Sequence, residues 1–593
     1  MKRFSLSVSV ACLMASMSLA QEAADSIAPE GATQLGGQIP EALMAAQKAK
    51  EAGSPTSAEN WMVAAANPLA VEAGADVLRA GGSAADAMVA VQSVLGLVEP
   101  QSSGLGGGAF LVWYDAESGT VTTLDGREKA PIAATPKLFL DETGERMKFF
   151  DAVVGGRSVG VPGTPMLMEE AHRRWGRSAW PGLLEAAIGH AENGFAVSPR
   201  LAGAVANDAE RLSSHPTTAA YFLPGGAPLA EGSVLQNPDY AESLRLMAEH
   251  GADPFYTGEI ATDIVATVRS ADNPGVLSTV DMALYQVKER DAVCVEYRDH
   301  DVCGMGPPSS GALTVGQILG LVGSYDMAGM GPESADAWRL IGDASRLAFA
   351  DRGRYMADSD FVPVPTAGLV APDYLAARAE LLSGDEALEN VAPGTPEFDH
   401  ALNWGDGQTF AQPSTSHISI VDSYGNALSM TTTIENGFGS RVMARGYLLN
   451  NELTDFSFRS HNDGVPVANR VEPGKRPRSS MAPTIVLKDD KPVLVIGSPG
   501  GSRIIGYVAK TIIAHMDWGM DVQAAIDLPH LVNRFGTYDV EEGTSAADFE
   551  APLTEMGFEV NVRGLNSGLH AIAIGDGLQG GADNRREGVA YGE

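Results

Sequence analysis

From Thr415 to Val421 the chain alternates with a period of two. Thr415, His417, Ser419 and Val421 fall on one face, and Ser416, Ile418 and Ile420 on the other, the pattern of a β-strand. Asp422 to Asn426 is a cluster of turn-forming residues, and Ala427 to Ile434 reads as a second strand. If the loop is those five residues and Val421 faces Ala427, antiparallel pairing keeps the sum of partner numbers constant. Thr415 then lies opposite Thr433, with directly opposed side chains roughly 5 Å apart. Two hydroxyls meet at one end of a hairpin, either as a surface threonine pair or as part of a site.

Other stretches predict further elements. Asn67 as N-cap and Pro68 at the first position start a helix that runs to Arg79 and stops at Gly81 and Gly82. Ser83 caps a second helix, Ala84 to Val98. Both are rich in Ala and Val, which suits close packing on a sheet. The glycine-rich run from Gln101 to Gly108 lacks a Gly-Lys-Ser/Thr and precedes a strand, Ala109 to Tyr114, where a phosphate cradle needs a helix. A tight backbone approach near a site is the better expectation. Gly119 to Leu124 pairs back and leads to Arg127, either a solvated charge or a bidentate clamp for a carboxylate. Residues 155–410 read as mostly helical, for example Thr164 to Arg174, Trp180 to Asn193, Tyr240 to Glu249 and Asp336 to Arg352. A loop at 390–413 then leads to the hairpin. Pro492 to Ile496 is a short buried strand that enters Gly497 to Gly501 and a helix, Ile504 to Trp518. Gly500 and Gly501 offer backbone N–H groups at that helix start, as a tight turn or as an anion or oxyanion site.

Composition narrows the class. The chain has 593 residues, 44 % of them hydrophobic, with 67 Gly and 34 Pro, as expected of a folded α/β protein with many turns. A formal charge of −34 argues against nucleic acid and anionic membranes as partners. Met1 to Arg3 is basic, Phe4 to Leu19 is apolar, and Ser18 to Ala20 fits a small-x-small cleavage site. Residues 1–20 therefore read as a signal peptide, with an uncleaved anchor as the alternative. The protein is expected to be periplasmic or secreted if bacterial. Residues 21–57 read as a flexible lead-in with one short helix, Ile39 to Ala52, and the folded body is expected to start near Trp61. Cys294 and Cys303 flank a hairpin with a two-residue turn at Arg298 and Asp299. They face each other, as a disulfide in an oxidising compartment or as two buried free thiols. No cysteine and histidine cluster suggests a metal site, and no cofactor is expected.

Several motifs together carry a resemblance. They are Pro413-Ser414-Thr415-Ser416-His417, Thr431-Thr432-Thr433, the run from Leu449 to Phe456 with Glu452 and Asp455, the run from Lys475 to Met481 with Ser479 and Ser480, and Gly497 to Arg503. Gly126-Arg127-Glu128, the glycines at 106–108 and the run from Asp583 to Gly588 follow in the same order. From about residue 61 to the C-terminus the chain resembles the γ-glutamyltranspeptidase family of N-terminal nucleophile hydrolases.

The resemblance implies a four-layer αββα sandwich made of two chains after self-cleavage at Ser414–Thr415. The pieces would be a large subunit (58–414, with the lead-in before it) and a small one (415–593). A threonine hydroxyl is a weak nucleophile without a base. An N-terminal amine, with a reference pKa of about 7.7–8, suits that task. By resemblance, Thr415 is the nucleophile and its new amine the base, with Thr433 bonded to it. Gly500 and Gly501 would form the oxyanion hole. Arg127, Ser479 and Ser480 would hold the α-carboxylate of a γ-glutamyl group, and Asp455 with Glu435 and Glu452 its α-ammonium. The implied substrate is glutathione or a related γ-glutamyl amide, with water or an amino acid or peptide as acceptor.

Two departures matter. Some members carry amides where this chain has Glu435 and Glu452, and residues 457–473 hold no aromatic beyond Phe458 to serve as a lid. Alternatives are a glutaryl or cephalosporin acylase-like amidase of the same family and an unprocessed binding relative. A Ser-His-Asp hydrolase lacks its Gly-x-Ser-x-Gly elbow, and His417 reads as structural or as an aid to processing.

Overall fold

The computed structural model describes residues 39–400, 403–407 and 414–593. The expected signal peptide, the lead-in up to residue 38 and Pro413 lie outside the described residues. Two antiparallel sheets of seven strands each form the centre. The first runs Val589–Gly592, Met62–Ala65, Ser416–Val421, Ala427–Thr433, Gly108–Asp115, Thr120–Gly126, Lys288–Arg290. The second runs Thr56–Ala58, Leu578–Ala582, His570–Ile574, Lys491–Gly497, Thr484–Lys488, His300–Met305, Ala292–Tyr297. Each sheet mixes strands from before and after Thr415, and the Thr415 hairpin fills the middle of the first.

Helices cover both outer faces. Pro68–Arg79, Ala84–Val98 and Thr164–Trp175 lie on the first sheet, and Gly311–Val322, Ile504–Met516 and Val522–Asp527 on the second. The Asn67 side chain accepts from the Leu69 N–H at 3.0 Å, and Ser83 forms a reciprocal capping box with Asp86, satisfying helix-start donors. Every residue of Ala84–Val98 is buried, which its small side chains permit.

The hairpin adopts the register expected from alternation. Val421 pairs with Ala427 and Ser416 with Thr432. Ile418 and Ile420 join the core under the first helix layer. Val421 faces the second sheet, in a cluster with Ile485, Val495 and Ile572. Farther along that inward face the contacts become polar. Ser419 Oγ donates to the His570 carbonyl (3.1 Å), and Ser429 Oγ to the Ile496 carbonyl (3.0 Å). The space between the sheets thus grades from apolar at the turn to hydrogen-bonded at the Thr415 end.

Two expectations are revised or resolved. The lead-in ends earlier than residue 57: Met44–Glu51 is a helix with Lys50 buried, and Thr56–Ala58 pairs with Leu578–Ala582. Lys50 Nζ donates to the Arg586 and Gly588 carbonyls, both at 2.6 Å. The segment is therefore built into the fold from Glu41 on, because a buried ammonium needs such acceptors. In the Ala292–Tyr297/His300–Met305 hairpin, Arg298 and Asp299 take φ of 51° and 59°, as a two-residue hairpin turn requires. Cys294 faces Cys303, and the two are joined by a disulfide with sulfurs 2.02 Å apart.

Candidate active site

Thr415 and Thr433 are 4 % and 2 % exposed, so they are not a surface pair. Their hydroxyls lie 2.9 Å apart, and the Glu435 N–H donates to Thr433 Oγ1 at 2.9 Å. The glycine-rich run makes the expected close approach here. A Cβ on Gly107 would sit 1.9 Å from the Thr433 carbonyl oxygen, and one on Gly106 2.0 Å from that of Leu448. Only glycine lets the 101–108 segment support the end of the hairpin.

The Ser414–Thr415 junction is held from three sides. Ser414 Oγ donates to the Gln101 carbonyl (2.9 Å), the Gly500 N–H donates to the Ser414 carbonyl (3.3 Å), and Arg586 Nη1 donates to the Thr415 carbonyl (3.1 Å). Thr415 has φ of +92°, a strained value for a β-branched residue. Gly500 and Gly501 take φ of 135° and 59°, and Gly501 opens the turn into the Ile504–Met516 helix. A Cβ on Gly500 would meet the Tyr507 ring at 2.7 Å, so the loop seats on that ring only as glycine.

A small cavity opens beside the threonines. Arg127, Thr415, Thr433, Glu435, Glu452, Asp455, Ser479, Ser480 and Gly501 line it, with Met481 and Ile504. Of the residues singled out for the chemistry, Gly500 and the cleavage-site residue Ser414 stand off its wall, against each other.

Arg127 is buried, not solvated. Its Nη1 pairs with Glu452 Oε1, and its Nη2 with Asp455 Oδ2 at 2.5 Å. Its Nε and Nη2 also donate to the Pro477 and Arg478 carbonyls, at 3.2 and 3.1 Å, next to Ser479. The guanidinium therefore faces two acids as well as the serine turn. Asp455 Oδ1 and Glu452 Oε2 are buried without a protein partner, and acceptors left in that state favour a cationic donor. Glu435 Oε2 accepts from Asn451 Nδ2. Ser479 Oγ accepts from the Met481 N–H (3.1 Å), and Ser480 Oγ from Arg352 Nη2 (2.7 Å).

Burial dominates the electrostatics. It raises the Asp455 carboxyl, against the pull of Arg127. It pushes Glu452 up to about 7, again opposed by Arg127. Glu128, fully buried, is raised well above the carboxylate range by burial and then by the Glu452 charge. A carboxyl raised on folding contributes stability that is complete below about pH 4.5 and is lost as pH rises through 7. Glu452→Gln is accordingly expected to flatten the fall in thermal stability of the unliganded protein over that window. Thermal unfolding against pH checks this, and an unchanged slope would place the proton elsewhere.

His417 is not a partner of Thr415. Its ring nitrogens engage Thr431 Oγ1 (2.9 Å) and Ser419 Oγ (3.0 Å), and burial with His570 nearby holds it neutral. Sequence reasoning missed Arg352, which lies inside a helix with no motif around it. Arg586 and Asn451 sat within quoted motifs, but nothing local marked their contacts.

Comparisons with known proteins agree with this architecture. A sequence model described as gamma-glutamyltranspeptidase matches residues 70–593. A glutathione hydrolase proenzyme of Bacillus subtilis (strain 168) is 38 % identical over 550 residues, covering 90 % of this chain and 92 % of that protein. Among solved structures, a cephalosporin acylase from Bacillus halodurans matches with a TM-score of 0.80 at 26 % identity, covering 91 % of this chain and 97 % of that one. The γ-glutamyltranspeptidase of Helicobacter pylori matches with a TM-score of 0.55 at 34 % identity, covering 56 % of this chain and 96 % of that one. With the family match running from residue 70 to the C-terminus over two facing sheets clothed in helices, the chain belongs to the gamma-glutamyltranspeptidase family of N-terminal nucleophile hydrolases.

Proposed function

We propose that the chain cuts itself between Ser414 and Thr415 and then acts as a γ-glutamyl hydrolase and transpeptidase on glutathione or a related γ-glutamyl amide. The observation that carries this is the cavity that joins the Thr415 and Thr433 hydroxyls to two unpaired buried carboxylate oxygens and a pair of serines.

In the first step Thr415 Oγ1 attacks the Ser414 carbonyl carbon. The developing oxyanion meets the Gly500 N–H already bonded to that oxygen. The C–N bond breaks to give an ester on Thr415 Oγ1 and a free α-amine, and water then releases Ser414 as a carboxylate. Strain at the Thr415 φ favours this scission. Residues 21–414 and 415–593 remain associated as a heterodimer, because both sheets hold strands of each.

In turnover the Thr415 amine takes the proton of its own hydroxyl, oriented by Thr433, as Oγ1 attacks the γ-amide carbonyl. Gly500 and Gly501 hold the oxyanion. The amine group, cysteinylglycine in the case of glutathione, leaves with that proton. Water or an acceptor amine then takes the γ-glutamyl group from Thr415. An ammonium fits against Asp455 Oδ1, Glu452 Oε2 and Glu435, and the α-carboxylate against Ser479, Ser480 and Arg127.

The acylase-like structural match keeps a second reading in view, a glutaryl amidase. A glutaryl chain would set methylene groups against Asp455 Oδ1 and Glu452 Oε2, leaving those two buried oxygens without a donor at a cost. The test compares kcat/KM for γ-glutamyl and glutaryl p-nitroanilides. Preference for the γ-glutamyl compound by about tenfold or more is expected, and faster glutaryl cleavage overturns the substrate assignment. Export to the periplasm or medium completes the proposal. The basic-then-apolar N-terminus and the Cys294–Cys303 bond suit it, and among the described residues no helix is long and apolar enough to cross a membrane.

A further inference from the structure

Behind the serine pair lies a guanidinium with no part in the steps above. Arg352 sits in the last turn of the Ala335–Tyr355 helix and is 2 % exposed. Its Nε donates to Ser310 Oγ (2.8 Å) and its Nη2 to Ser480 Oγ (2.7 Å). Among the described residues no carboxylate is ion-paired with it, whereas Arg127 already faces Glu452 and Asp455. Arg478 adds a like charge, donating through Nη1 to the Arg352 carbonyl at 2.7 Å. Burial and Arg478 together outweigh the attraction of the Asp455 carboxylate and make the Arg352 cation costly, lowering its pKa well below the usual value. An unmatched buried cation is relieved when an anion arrives.

Hydroxyl accounting says where that anion sits. A serine hydroxyl has one proton and two lone pairs. Arg352 occupies a lone pair of Ser480, and the Met481 N–H one of Ser479. Among the described residues neither hydroxyl donates elsewhere, and both residues line the cavity. Their protons are left to point into it. Ser310 ties the two together, since its Oγ accepts from Arg352 and donates to the Ser479 carbonyl at 2.6 Å.

We propose that Arg352 is the positioning residue of the carboxylate subsite, turning the Ser480 O–H toward the α-carboxylate of a γ-glutamyl group and placing positive charge behind it. The cavity is then dipolar: cationic at Ser479 and Ser480, anionic at Glu435, Glu452 and Asp455, with Arg127 between. This rests on the γ-glutamyl reading above.

The test uses two anilides that differ only in the carboxylate: γ-glutamyl p-nitroanilide and 4-aminobutanoyl p-nitroanilide. Arg352→Gln is expected to lower the ratio of their kcat/KM values by about 10- to 100-fold, the range of one charge-assisted hydrogen bond. The loss should fall mainly on KM for the γ-glutamyl compound. Ser310→Ala, which frees Arg352 without removing a charge, is expected to shift the ratio the same way by a smaller factor, so the inference stays testable if the first variant does not fold. On a Ser480→Ala background, where only the charge of Arg352 is left to lose, Arg352→Gln should change the ratio by a smaller factor than it does in the wild type. An equal loss on both anilides, or an unchanged ratio, assigns Arg352 a structural role only and overturns the inference. If the wild-type protein cleaves no γ-glutamyl anilide at all, the γ-glutamyl reading itself has failed.

Discussion

Thr415→Ala leaves the chain as one uncut polypeptide on a denaturing gel and lowers γ-glutamyl hydrolysis by about 10⁵-fold or more, the range seen when a covalent nucleophile is removed. Both losses have one origin. The Thr415 hydroxyl is the oxygen placed beside Thr433 at 2.9 Å, next to a carbonyl already bonded to the Gly500 N–H. Without it no ester forms at Ser414, no α-amine is released, and the cavity has neither attacking oxygen nor base. His417 cannot substitute, since both its ring nitrogens are engaged by hydroxyls and burial keeps it neutral. Thr415→Ser retains the oxygen but loses the methyl that restricts its rotamer, so it is expected to mature more slowly and still be cut. N-terminal sequencing of the smaller wild-type fragment checks the position: it should begin Thr-Ser-His. Scission of the alanine variant at the same bond, or near-normal turnover by it, would sink the assignment.

Asp455→Ala should lower kcat/KM for γ-glutamyl p-nitroanilide by about 10²- to 10³-fold, with a smaller effect on the glutaryl compound. Asp455 does two things. Its Oδ2 pairs with Arg127 Nη2 at 2.5 Å, and its buried Oδ1 has no protein partner at the cavity wall. Removing the side chain leaves a fully buried guanidinium short of one counter-charge, a change worth about 3–5 kcal/mol in buried pairs. It also strips the α-ammonium of its carboxylate. The glutaryl substrate has no ammonium and suffers only the first loss. Steady-state kinetics on the two anilides separate the effects, and an equal fall on both would mean that Asp455 serves Arg127 and not the substrate.

How much of this was legible in the chain depends on the reach of each interaction. Alternation and a five-residue turn set the Thr415–Thr433 pairing, because register in a hairpin is local and a one-residue slip would turn every side chain over. The caps at Asn67 and Ser83 and the turn at Arg298 and Asp299 were readable for the same reason, since each acts within a few residues. The docking of Met44–Glu51 was not readable, because Lys50 finds its acceptors at Arg586 and Gly588 across the whole sequence. Nor was the state of Arg127, whose guanidinium pairs with Glu452, 325 positions away.

The sequence alone determined which residue types stand in which short-range patterns: the threonine hairpin, the capped helices, the cysteine pair and the motifs that carry the family resemblance. Only the tertiary structure decided that the Gly500 N–H rests on the Ser414 carbonyl, that two acids share Arg127, and that Arg352 backs Ser480. Such contacts depend on burial and on partners brought together by the facing sheets, and neither has a period or a spacing along the chain.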